Sequence, residues 1–563
     1  MEKFDTITDV VVVGSGGAGM VSAWTSAKRG LAAIVVEKAS VYGGNTALSG
    51  GGAWLPNAPY FHREGERDDP EKLLAYLRTI APEVAPERQR HYLAEAPKMA
   101  AALEQTPPFK KGFTWIRGYS DYHPHRGGNP LGRGLWPTPI DQRVLGEEAR
   151  NRRVKSSPGR LPGLPKGMWM TSADYHDLIS LRWGGLKGYK MLLRLAGRAV
   201  KTRLSGQQMI TSGAALITRL RMLLQQENVP LWLDTPMTSL ITNNAGSVTG
   251  IVVERHGKPH RIGARRGVVV ASGGFEGSAA MRGQYQPLVR PGLTSGSPDN
   301  TGDGIRAGEQ IGAALDLMDD AWWMPAMELP GGVFQLMSER SYPHQFIVNG
   351  EGKRFVNEAS PYTDFGHAVI EGEKSGVKHF PFYMVLDHHA WQHYFFGGLP
   401  GRPIPSDWID FGAMFRGSTL EELADQIGVP RANLVATAAR YNGFARAGRD
   451  EDFHRGESPY DNWYGNPAYK NPNLGTVEKG PFYAFKMVLS DLGTKGGLLT
   501  DEHARVLRKD GSIIPGLYAS GNTSAAVMGN SYAGPGATLG PAMTFGWIAA
   551  HHMAANDPSD IGR

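Results

Sequence analysis

Near the start of the chain, apolar and polar positions fall into short blocks. Val10 to Val13 is an unbroken β-branched run, which predicts a strand. It gives way to Gly14-Ser15-Gly16-Gly17-Ala18-Gly19 and then to helix-like text as far as about Arg29. A second apolar run, Ala33 to Val36, predicts another strand and ends on the acid Glu37. Farther along, the period changes. Lys187, Lys190, Arg194, Arg198 and Lys201 are three or four residues apart and make one stripe of a helix. Leu192, Leu193, Leu195, Ala196, Val200 and Leu204 are expected on its opposite face. Thr419 to Ala424 opens a shorter helix, with Ser418 as the expected N-cap. Pro-, Gly- and aromatic-rich text from Pro459 to Gly475 reads as a long irregular loop, and the chain shows no internal repeat.

A chain of 563 residues exceeds what one core supports, so two or more domains are expected. With 41% apolar and 20% charged residues, it is neither disordered nor fibrous. Its 73 glycines suit a backbone that approaches a cofactor closely at many places. The absence of Cys excludes disulfides, thiolate metal sites, iron–sulfur clusters and a cysteinyl cofactor bond, and no metal site is expected. Met1-Glu2-Lys3-Phe4-Asp5 runs straight into the first strand without a secretory pattern, and no apolar stretch approaches the length of a spanning helix. A cytoplasmic location is therefore expected.

The net charge of +6 is local. Arg182, Lys187, Lys190, Arg194, Arg198, Lys201 and Arg203 lie in a stretch, Leu178 to Gln226, that holds no acid. With Trp183 and Tyr189 close by, this basic amphipathic helix (about residues 178–204, in an insert of about 150–207) reads as an element that docks on the inner face of the cell membrane. Nucleic-acid binding is not expected, because no recognition motif accompanies the charge.

The first blocks carry chemistry. Gly14 permits a tight turn, Gly16 lets backbone approach a pyrophosphate, and Gly19 lets helix pack on strand. The helix N-terminus, with Ser15 and Ala18, then faces the phosphates. Glu37, followed by Lys38, sits where an acid accepts hydrogen bonds from a ribose. A glycine fingerprint alone is weak, but here strand, helix and acid accompany it. Tyr42 to Gly52 follows at once, a loop of small residues and hydroxyls that includes Gly44, Asn45, Thr46, Ser49, Gly50 and Gly51. Such a loop offers many backbone donors to a phosphate or a flavin edge.

With that loop, the sequence resembles the flavoprotein family of fumarate reductases, succinate dehydrogenases and 3-ketosteroid dehydrogenases. The resemblance continues through Arg265 to Gly274 (with Ala271 and Gly273), Asn300 to Gly304 (with Asp303) and Gly516 to Asn522 (with Gly521). Gly536 to Gly540, with Thr538 and Leu539, would start a helix whose positive end faces the flavin pyrimidine and stabilises negative charge on the reduced ring. The resemblance implies an α/β fold: a discontinuous Rossmann-like FAD-binding domain at about 1–320 and 494–563, with an inserted α+β substrate domain at about 321–493. It also implies FAD. Members with a covalent flavin carry a His near Asn45, so Asn there implies a non-covalent cofactor.

The family's dicarboxylate reducers use an Arg as proton donor and further Arg and His side chains to hold the carboxylates. At the matching places this chain reads Ala359-Ser360-Pro361-Tyr362, Tyr532 and Thr494-Lys495-Gly496-Gly497. Without those cations a dicarboxylate would be desolvated without partners, and fumarate reduction is disfavoured. The replacements resemble the 3-ketosteroid Δ1-dehydrogenase pattern, with Tyr122 as a third tyrosine. By that resemblance the Tyr532 hydroxyl and the Gly536 N–H form an oxyanion hole for the carbon 3 carbonyl. Tyr362 takes a proton from carbon 2, Tyr122 relays it, and the flavin accepts the hydride from carbon 1. A tyrosine starts at a pKa of ~10, so a base role needs a site that lowers that value or shares the proton. Trp322, Trp323, Phe334 and Phe346 fit a flat hydrocarbon pocket or ordinary core packing equally well. Desaturation at Δ4, action on another enolisable ketone, and an idle flavin-bearing membrane protein are the alternatives. With no second dinucleotide fingerprint, an external electron acceptor such as a quinone is expected rather than NAD.

Overall fold

The computed structural model describes residues 3–154, 169–180, 186–397 and 401–556. Among these residues the largest sheet has eight strands and draws on both ends of the chain. Strand β1 (Thr6–Val13) lies between β2 (Ala33–Val36) and β3 (Lys258–Val270), parallel to both, and β3 pairs in parallel with β4 (Ile513–Ala519) on its far side. Val10 to Val13 are all buried. A parallel strand covered on both faces reads as a continuous apolar run, which is why this one does.

Helix α1 (Gly17–Lys28) leaves β1 through the glycine turn, and the helix that ends the described chain packs along it. A Cβ at Gly546 would stand 2.4 Å from the Ala18 carbonyl oxygen, so the close approach of the two helices requires glycine there. Between these elements the chain builds helix α2 (Pro86–Gln105), helix α3 (Leu186–Ser205) and helix α4 (Tyr362–Lys374); the closing helix is α5 (Leu539–Ala555).

A second sheet, of six strands among the described residues, is antiparallel and drawn from residues 321–494. Helix α4 packs on its strand Ala321–Leu329 and so carries Tyr362 at its first position. A third sheet of three short strands lies between residues 53 and 137, and the loop joining its strands Phe113–Trp115 and Gly134–Pro137 carries Tyr119 and Tyr122.

Two local expectations are corrected. The helix Leu420–Ile427 is capped by the Thr419 side chain, which accepts from the Glu422 N–H; the backbone of Ser418 instead donates to the Glu422 carboxylate. The stretch Pro459 to Gly475 is not wholly irregular, because Pro459–Asn462 forms a helical turn capped by Ser458. In α3 the apolar positions divide between a buried and an exposed side. Met191 and Leu195 are buried with Gly188 and Thr202, whereas Leu186, Tyr189, Leu192, Leu193, Val200 and Leu204 are exposed. At 100° per residue, positions 186, 193, 200 and 204 fall on the arc opposite 191, 195 and 202. Lys187, Lys190, Arg194 and Lys201 flank that exposed apolar ridge; Arg198 turns inward onto Asp174 at 2.5 Å. Arg182 and Trp183 lie outside the described residues. No described helix is long and apolar enough to cross a membrane.

Candidate active site

One continuous cleft runs from Glu37 at the ends of β1 and β2 to Tyr362 at the start of α4. Its first half is built from backbone. Gly14 has φ +106, and a Cβ there would come within 2.3 Å of the Ala271 carbonyl oxygen. The first turn of α1 has no side-chain cap, so its N–H groups remain free to hold an anion. Gly17 N–H alone is engaged there, by the Thr46 hydroxyl at 3.0 Å. Glu37 is held in place by the Ser15 N–H (3.1 Å) and hydroxyl (2.6 Å) and by the Ala39 N–H (3.0 Å). The first turn of α5 likewise lacks a side-chain cap and opens on the same cleft at Thr538 and Leu539. Uncapped helix ends, an acid held at the strand edge and a glycine-lined wall fit the pyrophosphate, ribose and flavin of FAD.

The second half is aromatic. Tyr119, Tyr122, Trp136, Met337, Tyr362, Tyr464 and Tyr532 line it. The Tyr122 hydroxyl donates to the Tyr362 oxygen at 3.1 Å. The Tyr532 ring lies 5.1 Å from that of Tyr122 and 5.4 Å from that of Tyr362. Thr538 donates its hydroxyl to the Tyr532 oxygen at 2.9 Å, which leaves the Tyr532 O–H to donate into the cleft. Gly536 is forced: its φ is +92, and a Cβ would lie 2.5 Å from the Ala53 nitrogen. Asp121 anchors the loop that carries Tyr122. Its carboxylate is buried, bonded to Arg133, and accepts from Trp54 Nε1 at 2.9 Å and from the Asn129 N–H at 3.0 Å.

Burial pushes the Tyr362 and Tyr122 hydroxyls well above the usual tyrosine value, and the hydrogen bond from Tyr122 opposes that rise at Tyr362. Tyr532 is also raised by burial, against the pull of its hydrogen bonding with Thr538 and Tyr362. A raised value suits Tyr532, because it keeps the donor protonated. Tyr362 is likewise held protonated at rest, with the hydrogen bond from Tyr122 pulling the other way.

The cleft brings together Tyr122, Tyr362, Tyr532 and Gly536 with Gly14, Ser15, Gly16, Ala18, Glu37, Lys38, Gly44, Asn45, Thr46, Ser49, Gly50, Gly51, Ala271, Gly273, Asp303, Gly521, Asn522, Thr538 and Leu539. Gly19 does not line it; a Cβ there would collide with the Gly14 carbonyl oxygen at 2.0 Å, so this glycine serves helix-on-strand packing. The Lys38 ammonium is bound to Asp303 at 2.5 Å. Both polar ends of the Asn45 side chain are engaged, donating to Glu276 at 2.6 Å and accepting from the Ser297 N–H at 2.5 Å. Trp322, Trp323, Phe334 and Phe346 are not among the cleft-lining residues, and Trp322 backs the cleft only indirectly, edge-on to the Tyr532 ring at 5.0 Å. The lining aromatics missed from sequence are Tyr119, Trp136 and Tyr464. Tyr119 stacks between Trp136 and Trp463, with ring centroids 5.5 and 5.0 Å away.

The FAD binding domain family model matches residues 9–539. A 3-oxosteroid 1-dehydrogenase of Mycobacterium tuberculosis (strain ATCC 25618 / H37Rv) is 46% identical over 560 residues, covering 97% of this chain and 98% of that relative. The crystal structure of a 3-ketosteroid delta1-dehydrogenase from Sterolibacterium denitrificans, in complex with 1,4-androstadiene-3,17-dione, matches with a TM-score of 0.91 at 38% identity, covering 98% of this chain and all of that one. A 3-ketosteroid-delta4-(5alpha)-dehydrogenase from Rhodococcus jostii RHA1 shares the fold at a TM-score of 0.67 and 21% identity, over 98% of both chains.

Proposed function

The chain belongs to the FAD binding domain family and, within it, to the 3-oxosteroid 1-dehydrogenases, and from that premise we propose how its residues divide the work. The reaction is the FAD-dependent 1,2-desaturation of a 3-ketosteroid. Bound in the cleft, FAD supplies the two-electron acceptor for the hydride that leaves carbon 1. The residues that hold it are the uncapped first turns of α1 and α5, Glu37 and the loop Gly44 to Gly51.

The protein's own task is the proton. A C–H beside a ketone is only weakly acidic until the carbonyl oxygen is stabilised as it gains charge. The Tyr532 hydroxyl and the Gly536 N–H are the two donors for that oxygen, and burial keeps Tyr532 protonated for the purpose. In its deprotonated form, stabilised by the hydrogen bond that the Tyr122 hydroxyl donates at 3.1 Å, Tyr362 receives the proton from carbon 2 and becomes the neutral phenol. The observation that carries this reading is the convergence of three tyrosines from residues 122, 362 and 532 on one end of the nucleotide cleft. The cation at the remaining family position, Lys495, is buried and bound to Asp320 at 2.8 Å, so it is not available to a dicarboxylate.

The exposed apolar ridge of α3, flanked by lysines and an arginine, supports docking on an anionic membrane surface. There a sterol could enter from lipid, and a membrane quinone would be the external acceptor. The inner face of the cell membrane is the proposed location. Regiochemistry is tested with 5α-androstane-3,17-dione, which offers both ring positions to desaturation. Proton NMR of the first product should show a carbon 1–carbon 2 olefin; a carbon 4–carbon 5 olefin would assign the enzyme to Δ4 chemistry.

A further inference from the structure

Arg88 is 4% exposed, stands in the first turn of α2, and is ion-paired with no carboxylate among the described residues. Its Nη2 donates to the Ala525 carbonyl oxygen at 2.6 Å, its guanidinium lies 5.1 Å from the Phe545 ring centroid, and its Nε is buried without a partner. Other buried arginines are treated differently. Arg133, Arg282, Arg354 and Arg455 each reach a carboxylate. Arg219 and Arg340, which do not, are each surrounded by three or more acceptor oxygens. Burial lowers the Arg88 guanidinium to about 10, against the pull of the more distant Asp316 and Asp501.

Such a charge is costly on two counts. It is desolvated without an anion, and it sits at the positive end of its own helix. It also faces a second positive end. Arg88 lines a small cavity with Thr538, Pro541, Ala542 and Phe545, from the start of α5. The same cavity is bounded by Gly521, Asn522, Thr538 and Ala542, all of which line the FAD cleft as well. Positive potential from the two helix ends and one guanidinium therefore converges on the wall behind the cofactor site, where no carboxylate among the described residues is ion-paired with Arg88.

We propose that Arg88 is a positioned counter-charge for the reduced flavin, raising its affinity for electrons through the wall formed by Asn522 and Thr538. This rests on the reading that the first turn of α5 faces the flavin pyrimidine. Arg88 touches no substrate; it acts through the field at the cofactor.

The test uses sulfite, which adds to oxidised flavin and binds better when positive charge lies near the pyrimidine. Sulfite Kd and flavin midpoint potential are measured on FAD-loaded wild type, Arg88→Gln, which keeps a donor for Ala525, and Arg88→Lys, which keeps the charge. The expected result is a sulfite Kd weakened roughly tenfold or more and a lower potential in Arg88→Gln, with Arg88→Lys near wild type. Should Arg88→Gln not load FAD, the apolar Arg88→Met serves as the second uncharged variant. Tight sulfite binding that is equal in wild type and in either uncharged variant would overturn the role of Arg88. Negligible sulfite binding by wild type, with a reduced-flavin spectrum of the neutral form, would instead overturn the reading of α5 on which the role depends.

Discussion

Tyr362 and Tyr532 are chemically alike and are set apart by their partners. Tyr532 receives a hydrogen bond from Thr538, whereas Tyr362 receives one from Tyr122. Replacing Tyr532 by Phe should cost roughly 10²–10³ in kcat, as for other oxyanion donors, with flavin retained. Because burial holds Tyr362 well above the usual tyrosine value, less of it is deprotonated at any lower pH. The rate of flavin reduction should therefore rise with pH through the alkaline range, and stopped-flow reduction at pH 7 to 10 checks this; a flat profile would remove Tyr362 as the base. Glu276 offers a separate test. Burial, with Asp491 nearby, raises its carboxyl to about 7 from 4.5. The folded state thus binds its proton more tightly than the unfolded chain does. That stability is fully present below 4.5 and is lost as pH rises through 7, by about 3 kcal/mol. Thermal melts of wild type and Glu276→Gln across pH 5 to 8 should diverge, with the variant losing less stability; parallel curves would contradict the assignment.

At the scale of elements, the glycine turn, α1 and the loop after Glu37 were legible because their signals are local: small residues at fixed offsets that the backbone cannot do without. Gly536 is of this kind. Gly536→Ala should lower kcat by roughly 10²-fold, because its Cβ would strike Ala53 and displace the amide from the place proposed for the ketone oxygen. Helix α3 was legible as a helix but not in its orientation. Periodicity shows an apolar face opposite the basic stripe, and only packing on its neighbours decides which side of the helix is buried. The ridge of Leu193, Val200 and Leu204 faces outward. Wild type should sediment with vesicles containing anionic phospholipid, and Leu193→Asp combined with Leu204→Asp should abolish that. Replacing Lys190 and Lys201 by Gln should weaken it by about 1 kcal/mol per charge, in a salt-sensitive way. Sedimentation unchanged in the Asp variant would leave α3 as a solvated surface helix.

Over the whole molecule, the site is assembled from distant segments, and that limits what sequence can reveal. Tyr464 reaches Tyr119 across 345 positions, with their hydroxyls 3.4 Å apart, from a stretch that reads as loop. Trp322 and Trp136 are equally aromatic in the text, yet Trp322 lies behind Tyr532 and only Trp136 lines the cleft. Core and pocket use the same residue types, so long-range topology alone separates them. Tyr362 and Tyr532 were found because they stand where related flavoproteins carry cations, and Tyr122 because the 3-ketosteroid Δ1-dehydrogenase pattern has a tyrosine at its place. The unpaired charge of Arg88 had no signal in the sequence, since an unpaired arginine looks like any other until its neighbours are known. The central claim is that these tyrosines turn a nucleotide cleft into a steroid desaturase. Its most direct test is anaerobic mixing of the yellow protein with androst-4-ene-3,17-dione, for wild type and Tyr362→Phe, following flavin absorbance. Wild type should bleach, and Tyr362→Phe should keep its flavin and stay yellow, slowed by roughly 10²–10⁴. Bleaching of the variant at the wild-type rate would contradict the account and return Tyr362 to ordinary packing.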